Sequence, residues 1–464
     1  MDIKDKNFQN TLANANPNIS ITLNIKDVSK NPISKEKVIS KDEKSDLESL
    51  IKLYNQKKFD DLLEKSNAFV LKYPNNTDGL NANALAHKNQ KEFKKALKIF
   101  DKIININPKI DYVYQNMANI FFDLGNMTSA IEYQKKALEL NPKNIRSMNG
   151  LGLALSNSGD DIAAIGYYKR ALEINSNDSE TNYNIATSYR KTEKYKEASL
   201  HYSRSDNKKS KSFQLECMYL AGDVVLDDFY SLLETLGQDE NLFPIAASVS
   251  AHAAVRYSMP NPYPFCKEPF GFIKKFNLYD HKDFNDNLIN RFLEDVDNSN
   301  ITQRGQSLLK NGLQTSGNLF LLEHESVKQM VEIIESKLAE YRSFYENRND
   351  GLVKSWPKRY RLFGWLIQIK SGGSLSSHMH NEGWLSSSIY LKRPNKKKEH
   401  DGDIAFCLDG GNFPEIHQLQ SEKEIIDISK GDMVSFPSSL FHSTVPFSSD
   451  EDRVTLAFDV IPSE

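Results

Sequence analysis

Between residues 43 and 212, apolar positions recur at the i, i+3, i+4 spacing of amphipathic helices, in runs that stop at a proline. "AFVLKYP", "KIININP" and "ALELNP" set Pro74, Pro108 and Pro142 34 residues apart, and Ser176 in "ALEINS" keeps the period. On that period Ala96, Ala130, Ala164 and Ala198 share one phase, each four residues ahead of Phe100, Gln134, Tyr168 or Tyr202. Gly125 and Gly159 fall at the turn between the two helices of their units, where Lys57 and Glu193 hold the equivalent place in the first and last unit. Small residues such as Gly152 and Ala164 let paired helices approach, while Leu151, Tyr168 and Ala171 fill the space between them. A unit of this kind cannot bury its face alone, so the pattern predicts a stack.

Beyond residue 212 the helical spacing continues through "FQLECMYLAGDVVLDDFYSLLETLGQ", and "MPNPYPFCKEPFGF" breaks it near 258. Residues 322–345 read as one long helix. After them the period drops to two, in "RLFGWLIQIK", "LSSSIYLK", "GDIAFCL", "IIDIS", "GDMVSFPSS" and "RVTLAFDVI". The fold class expected is therefore α+β and multidomain: an N-terminal α-solenoid, then a double-stranded β-helix (jelly roll) with flanking helices. Its expected segments are a disordered tail over 1–42, repeats over 43–212, a helical cap or linker over 213–257 and the strand-rich domain over 258–464. The period and its phased alanines, glycines and prolines resemble the tetratricopeptide repeat, in about five units. That resemblance implies a concave groove for a protein or peptide partner, lined by Tyr112, Gln115, Asn119, Arg146, Asn149, Tyr183 and Arg190.

Charge narrows the partners. A formal net charge of −3, from 59 basic and 62 acidic residues, offers no global field for nucleic acid or an anionic membrane. "KRPNKKKEH" is an exposed loop between two strands on this reading, and "SGGS" at 371–374 has no helix after it to make a phosphate cradle. The first residues carry no apolar leader and no run reaches the roughly 18 apolar residues of a membrane span, so a cytoplasmic protein is expected. Cys217, Cys266 and Cys407 are too scattered for a disulfide framework or a thiolate site, which leaves histidines and carboxylates for any metal.

Such a set is present. His378 and His380, in "SSHMHNEGWLSSSIYL", head a strand-like run in which residues i and i+2 face the same way. His442 lies 62 residues after His380, behind a turn, a strand and a proline-led loop, and "DRVTLAFDV" then presents Arg453 and Thr455 on one strand face. Two ligands close in sequence and one from a later strand can take three positions of an octahedron and leave the others open. With "NPYPFC", "NGLQTSGNLF", "FPSSLFHSTVP" and "RVTLAFDV", the segment 258–464 resembles the non-haem iron and 2-oxoglutarate dependent oxygenases, most closely an oxygenase family often found behind tetratricopeptide repeats.

The resemblance implies Fe(II) held by His378 and His442 with His380 as third ligand, and molecular oxygen as co-reactant. It also implies 2-oxoglutarate with its distal carboxylate on Arg453, aided by Thr455, and with Tyr390 and Gln368 as further contacts. Most of that superfamily has H-x-D where this chain has "HMH", which removes one negative charge from the metal's ligands. Glu382, two residues on, is the alternative carboxylate. Trp365 and Trp384 are expected to pack, and His400 and His417 to be solvated. The function expected is a 2-oxoglutarate dependent dioxygenase whose repeats bind protein. The alternatives are a catalytically silent repeat scaffold and a cupin-like metalloenzyme that takes no 2-oxoglutarate.

Overall fold

A computed structural model describes residues 40–239, 241–416 and 423–463. The tail expected over 1–42 lies outside the described residues as far as residue 39, and the first helix already begins at Lys41. His417 also falls outside them. The described chain divides into two compact units between Ser188 and Tyr189.

The first unit is built of helices α1 (Lys41–Asn55), α2 (Phe59–Lys72), α3 (Thr77–Asn89), α4 (Phe93–Ile106), α5 (Asp111–Asp123), α6 (Met127–Leu140), α7 (Ile145–Asn157), α8 (Asp161–Ile174) and α9 (Ser179–Lys191), the last crossing the division. Several start on a side-chain cap: Asn76, Asn126, Asn144 and Asp160 accept from the backbone N–H groups of Gly79, Ser129, Ser147 and Ala163. The small residues have the role the period gave them. A Cβ on Gly152 would come within 2.5 Å of the Tyr168 ring, and Leu151, Ala164, Tyr168 and Ala171 are all buried. Gly125 and Gly159 turn at φ of 72° and 88°; Lys57, Lys91 and Glu193, at the same phase, adopt the left-handed conformation too, at 56°, 59° and 58°. Repeat geometry therefore imposes this turn even where a Cβ makes it costly.

In the second unit the elements are α10 (Tyr195–Tyr202), α11 (Ser210–Leu220), α12 (Leu226–Gly237), α13 (Pro244–Tyr257), β1 (Lys274–Asn277), α14 (Asp286–Asn298), β2 (Gln303–Arg304), β3 (Leu309–Thr315), α15 (Glu325–Phe344), α16 (Gly351–Lys354), β4 (Tyr360–Leu375), β5 (Leu385–Lys392), β6 (Ile404–Cys407), β7 (Glu424–Ile426), β8 (Asp432–Pro437), β9 (Phe441–Thr444) and β10 (Arg453–Pro462). A seven-stranded antiparallel sheet runs β1-β8-β5-β10-β4-β3-β2, and a three-stranded sheet runs β7-β6-β9. Tyr390, Val434 and Phe436 of the first pack with Ile404 and Phe406 of the second, which makes the pair a sandwich of the jelly-roll kind.

One core joins α11, α12 and α13 to the larger sheet: Leu215, Tyr219, Phe229 and Leu233 belong to the same buried cluster as Leu338, Leu366 and Phe458. The proline-rich stretch near 258 ends the helical periodicity but not the packing. The helices ahead of it, expected as a cap or linker, belong to the sandwich's own core.

Strand β10 sits between β4 and β5, and its register fixes what faces the interior. Arg453 stands across from Ile369 of β4, Thr455 from Ile367 and Ala457 from Trp365. Ile367, Ile369, Trp365 and Ala457 share one apolar cluster with Leu309, Leu375 and Phe447, while Leu362, Leu366, Leu456 and Phe458, of the other parity, join the helix-covered core.

Candidate metal centre and cosubstrate pocket

His378 is not inside a strand but on the extended link from β4 to β5. Its backbone bridges to His442 on β9, with His378 N donating to His442 O at 3.1 Å and His442 N donating to His378 O at 2.9 Å. His380 follows on the same link, its N–H donating to Ser438 O at 3.2 Å. The ring centroids stand 4.3 Å (His378–His442), 5.0 Å (His380–His442) and 5.2 Å (His378–His380) apart, and one ligand atom from each lies within 4.8 Å of the others.

Each ring has its Nδ1 turned to an acceptor. For His378 it is Ser376 O at 2.8 Å, for His442 Leu440 O at 3.4 Å, and for His380 Asp459 Oδ1 at 2.7 Å. An imidazole that donates from Nδ1 keeps its lone pair on Nε2, so three Nε2 atoms remain for one cation. Burial, with His380 nearby, pushes the His378 pKa down to about 4. Burial and the other two rings hold His442 well below its ordinary value. Both rings are thus neutral at physiological pH, the form that binds a metal. The donor set fits a borderline divalent cation such as Fe(II), Zn(II) or Co(II).

Glu382, the alternative carboxylate ligand, is elsewhere. Its side chain is 60% exposed and paired with Lys209, because the chain has turned outward by that residue. Trp365 is a second departure from expectation. It lines the centre rather than only packing, half-buried with its ring 5.6 Å from that of His380. Trp384 is buried against Phe265 and donates to Leu352 O, a packing role as expected.

The cosubstrate residues separate by strand parity. Arg453 is 4% exposed; its Nε donates to Gly402 O at 3.0 Å, its Nη1 to Thr455 Oγ1 at 2.8 Å, and its guanidinium carbon lies 4.9 Å from the Tyr390 ring. Among the described residues no carboxylate forms an ion pair with it. Burial pulls this guanidinium below its ordinary pKa, and burial pushes Tyr390 up to about 12, so its phenol keeps its proton. The Tyr390 hydroxyl is buried without a hydrogen-bond partner. A buried cation lacking an anion, beside an idle hydroxyl donor, fits a carboxylate-bearing ligand. Gln368 does not join them. It stands across from Val454, leaves the opposite face of β4 and donates to Asp452 at 2.6 Å.

Behind Arg453, the run expected as an exposed basic loop is partly folded back onto acids. Fully buried Asp403 accepts from Arg393 Nη2 at 2.9 Å, Lys396 Nζ at 2.8 Å and the Ile428 N–H at 3.2 Å, with His400 Nδ1 at 3.2 Å. Asp401 accepts from the backbones of Lys397 and Lys398. This network fixes the loop whose Gly402 carbonyl orients Arg453.

In the repeats, Asn119 and Asn149, expected to line a groove, are instead buried and bonded to Gln134 and Thr181. Tyr112 donates to Asp78 at 3.0 Å. Arg190, of the second unit, pairs with Glu216 there at 2.5 and 2.9 Å. No helix among the described residues is long and apolar enough to cross a membrane.

Comparison with known families agrees with both halves of this description. Residues 364–459 match the family described as "Putative 2OG-Fe(II) oxygenase", and residues 109–177 match the tetratricopeptide repeat family. Among solved structures, pilF of Pseudomonas aeruginosa is 17% identical, with 42% of this chain and 90% of that chain covered at a TM-score of 0.38. A thermophilic TPR protein of Thermus thermophilus is 19% identical (41% and 99% covered, TM-score 0.33), and MamA of Desulfovibrio magneticus is 14% identical (36% and 94%, TM-score 0.32). No curated protein gives a match. The segment 364–459 takes in all three histidines, Tyr390, Arg453, Thr455 and Asp459. The chain thus carries a region, 109–177, that matches the tetratricopeptide repeat family model and, C-terminal to it, a segment, 364–459, that matches the model described as "Putative 2OG-Fe(II) oxygenase".

Proposed function

We propose that the C-terminal domain is an Fe(II)- and 2-oxoglutarate-dependent hydroxylase and that the repeats hold its protein or peptide partner. The observation that carries this reading is the buried Arg453 guanidinium, with no carboxylate ion-paired to it among the described residues and on the same strand as a partner of the three-histidine cluster. Bound iron and 2-oxoglutarate together supply the oxygen activation that a hydroxylation needs. The chain's own groups supply position. His378, His380 and His442 would hold the metal through Nε2, and Arg453 would take a carboxylate as a planar fork, with Thr455 fixing one arm. The protonated Tyr390 hydroxyl can donate to the same carboxylate, and the Phe406 and Phe436 rings beside His442 keep water from that side of the centre.

Anaerobic titration tests the reading. Fe(II) and 2-oxoglutarate added together should raise a weak visible charge-transfer band in the native chain, and the band should be lost in His442→Ala. A native chain with no band, and no succinate formed from 2-oxoglutarate in air, would remove the proposal. The all-histidine ligand set favours one other reading, a cupin-like metalloenzyme independent of 2-oxoglutarate. Metal-dependent turnover that survives Arg453→Ala would select it.

A further inference from the structure

We infer that Asp459 supplies, through His380, the negative charge that a three-histidine set lacks, and so acts as a positioning residue for the metal. The inference rests on the metal reading above. His378 and His442 donate to neutral carbonyls, whereas the acceptor for His380 is a carboxylate, with Asp459 Oδ1 2.7 Å from Nδ1. The same oxygen accepts from Ser386 Oγ at 2.6 Å, and Ser386 Oγ lies 2.8 Å from Ser438 Oγ, so the carboxylate is held in a fixed orientation. Asp459 is 6% exposed, and among the described residues no lysine or arginine pairs with it. The chain makes room for the group: a Cβ on Gly383 would come within 3.0 Å of Asp459 Cγ and 2.6 Å of Ser438 Oγ.

A carboxylate that accepts from one imidazole nitrogen raises the basicity of the other, and in poorly hydrated surroundings its charge is felt across the ring. Instead of binding the metal directly, the carboxylate in this chain stands one ring further out. The site's total charge is then that of a two-histidine, one-carboxylate centre, although all three ligand atoms are nitrogens. Strand parity supports the assignment, because Asp459 leaves the same face of β10 as Arg453 and Thr455.

Co(II) binding to the full chain, followed by its visible absorption and by competition with a chromophoric chelator, tests this without turnover. Asp459→Asn should weaken Co(II) binding about 10- to 100-fold and shift the absorption bands, with the circular dichroism of the metal-free chain unchanged. In that background His380→Asp should return most of the lost affinity, because it restores a carboxylate; in the otherwise native chain the same substitution should weaken binding by crowding two carboxylates. The two effects are therefore non-additive. Native affinity in Asp459→Asn, or additive effects in the cycle, would overturn the inference. If Asp459→Asn does not fold, His380→Asp alone decides, and binding as tight as or tighter than native overturns it. A native chain that binds neither Co(II) nor Fe(II) would instead remove the metal reading, and this inference with it.

Discussion

The two units treat buried polar groups in opposite ways. In the repeats, interior amides answer one another: Asn83 donates to Ser66 and Asn67, Asn116 to Asn81, and Asn149 exchanges hydrogen bonds with Thr181. What they leave without a partner among the described residues is neutral, Gln134 Oε1 and Ser147 Oγ. The second unit buries a guanidinium that no described carboxylate pairs and a phenol with an idle hydroxyl, and it gathers three imidazoles, each with a ligand nitrogen within 4.8 Å of the others. Polar groups that satisfy one another fix the geometry of a stack. Groups held rigid yet incomplete are poised for something from outside the chain.

Removing the incomplete cation should have the largest effect on ligand and little on fold. Arg453→Ala is expected to weaken 2-oxoglutarate binding by about 1,000-fold, roughly 4 kcal/mol, in a titration of the metal-loaded protein, while Asn149→Ala leaves it unchanged. Equal losses in the two variants would erase the contrast between the units.

His252 extends the comparison to acid. It is fully buried, bonded through Nδ1 to the Tyr219 hydroxyl at 2.5 Å, and its Nε2 has no partner. Burial first, then Arg256, pushes its pKa from the ordinary 6.5 down to about 4. Between those values the folded protein binds fewer protons than the unfolded chain, so this stability is complete above pH 6.5 and lost as pH falls toward 4. The loss should reach at most about 3 kcal/mol in urea unfolding, and His252→Gln should flatten that part of the profile. A profile that keeps its slope in the variant would assign the acid loss to other groups.

Two smaller effects belong to the repeats. Asn149→Ala should cost roughly 1–2 kcal/mol, because the hydrogen bonds between Asn149 and Thr181 across the helices are lost while Thr181 keeps only Asp178 among the described residues. Lys91→Gly should raise stability by roughly 0.5–1 kcal/mol, since glycine takes the left-handed turn without the penalty of a Cβ. Thermal unfolding of the two variants separates them by sign.

Much of this was legible in the sequence because it is periodic. The 34-residue beat located the turns so well that Lys91, which has no glycine to advertise it, takes the left-handed conformation its phase demands. Alternation along "RVTLAFDV" put Arg453 and Thr455 on one face, and the same alternation leads to Asp459, an acid in an otherwise apolar stretch that spacing to the histidines alone does not single out. Gln368 failed for the converse reason. Its distance from His378 suggested proximity, but Ile367 and Ile369 on either side of it claim the inner face. Glu382 looked like the missing carboxylate while the link was read as continuous strand; once the chain leaves extended pairing, period-two reasoning no longer says where a side chain points. The common core of α11–α13 and the sheet was hidden because amphipathic spacing reveals that a face is buried, not what buries it.

The acceptors behind the three histidines carry a consequence for mutation and inheritance. Ser376 and Leu440 serve through their carbonyls, which every amino acid has, so drift at those two positions leaves the aim of His378 and His442 intact. His380 depends on a side chain, and a single substitution can take that away. Random change therefore reaches the centre most easily through a residue 79 positions away, and a screen for metal-deficient variants should recover lesions at Asp459 far more often than at either position that serves through its carbonyl.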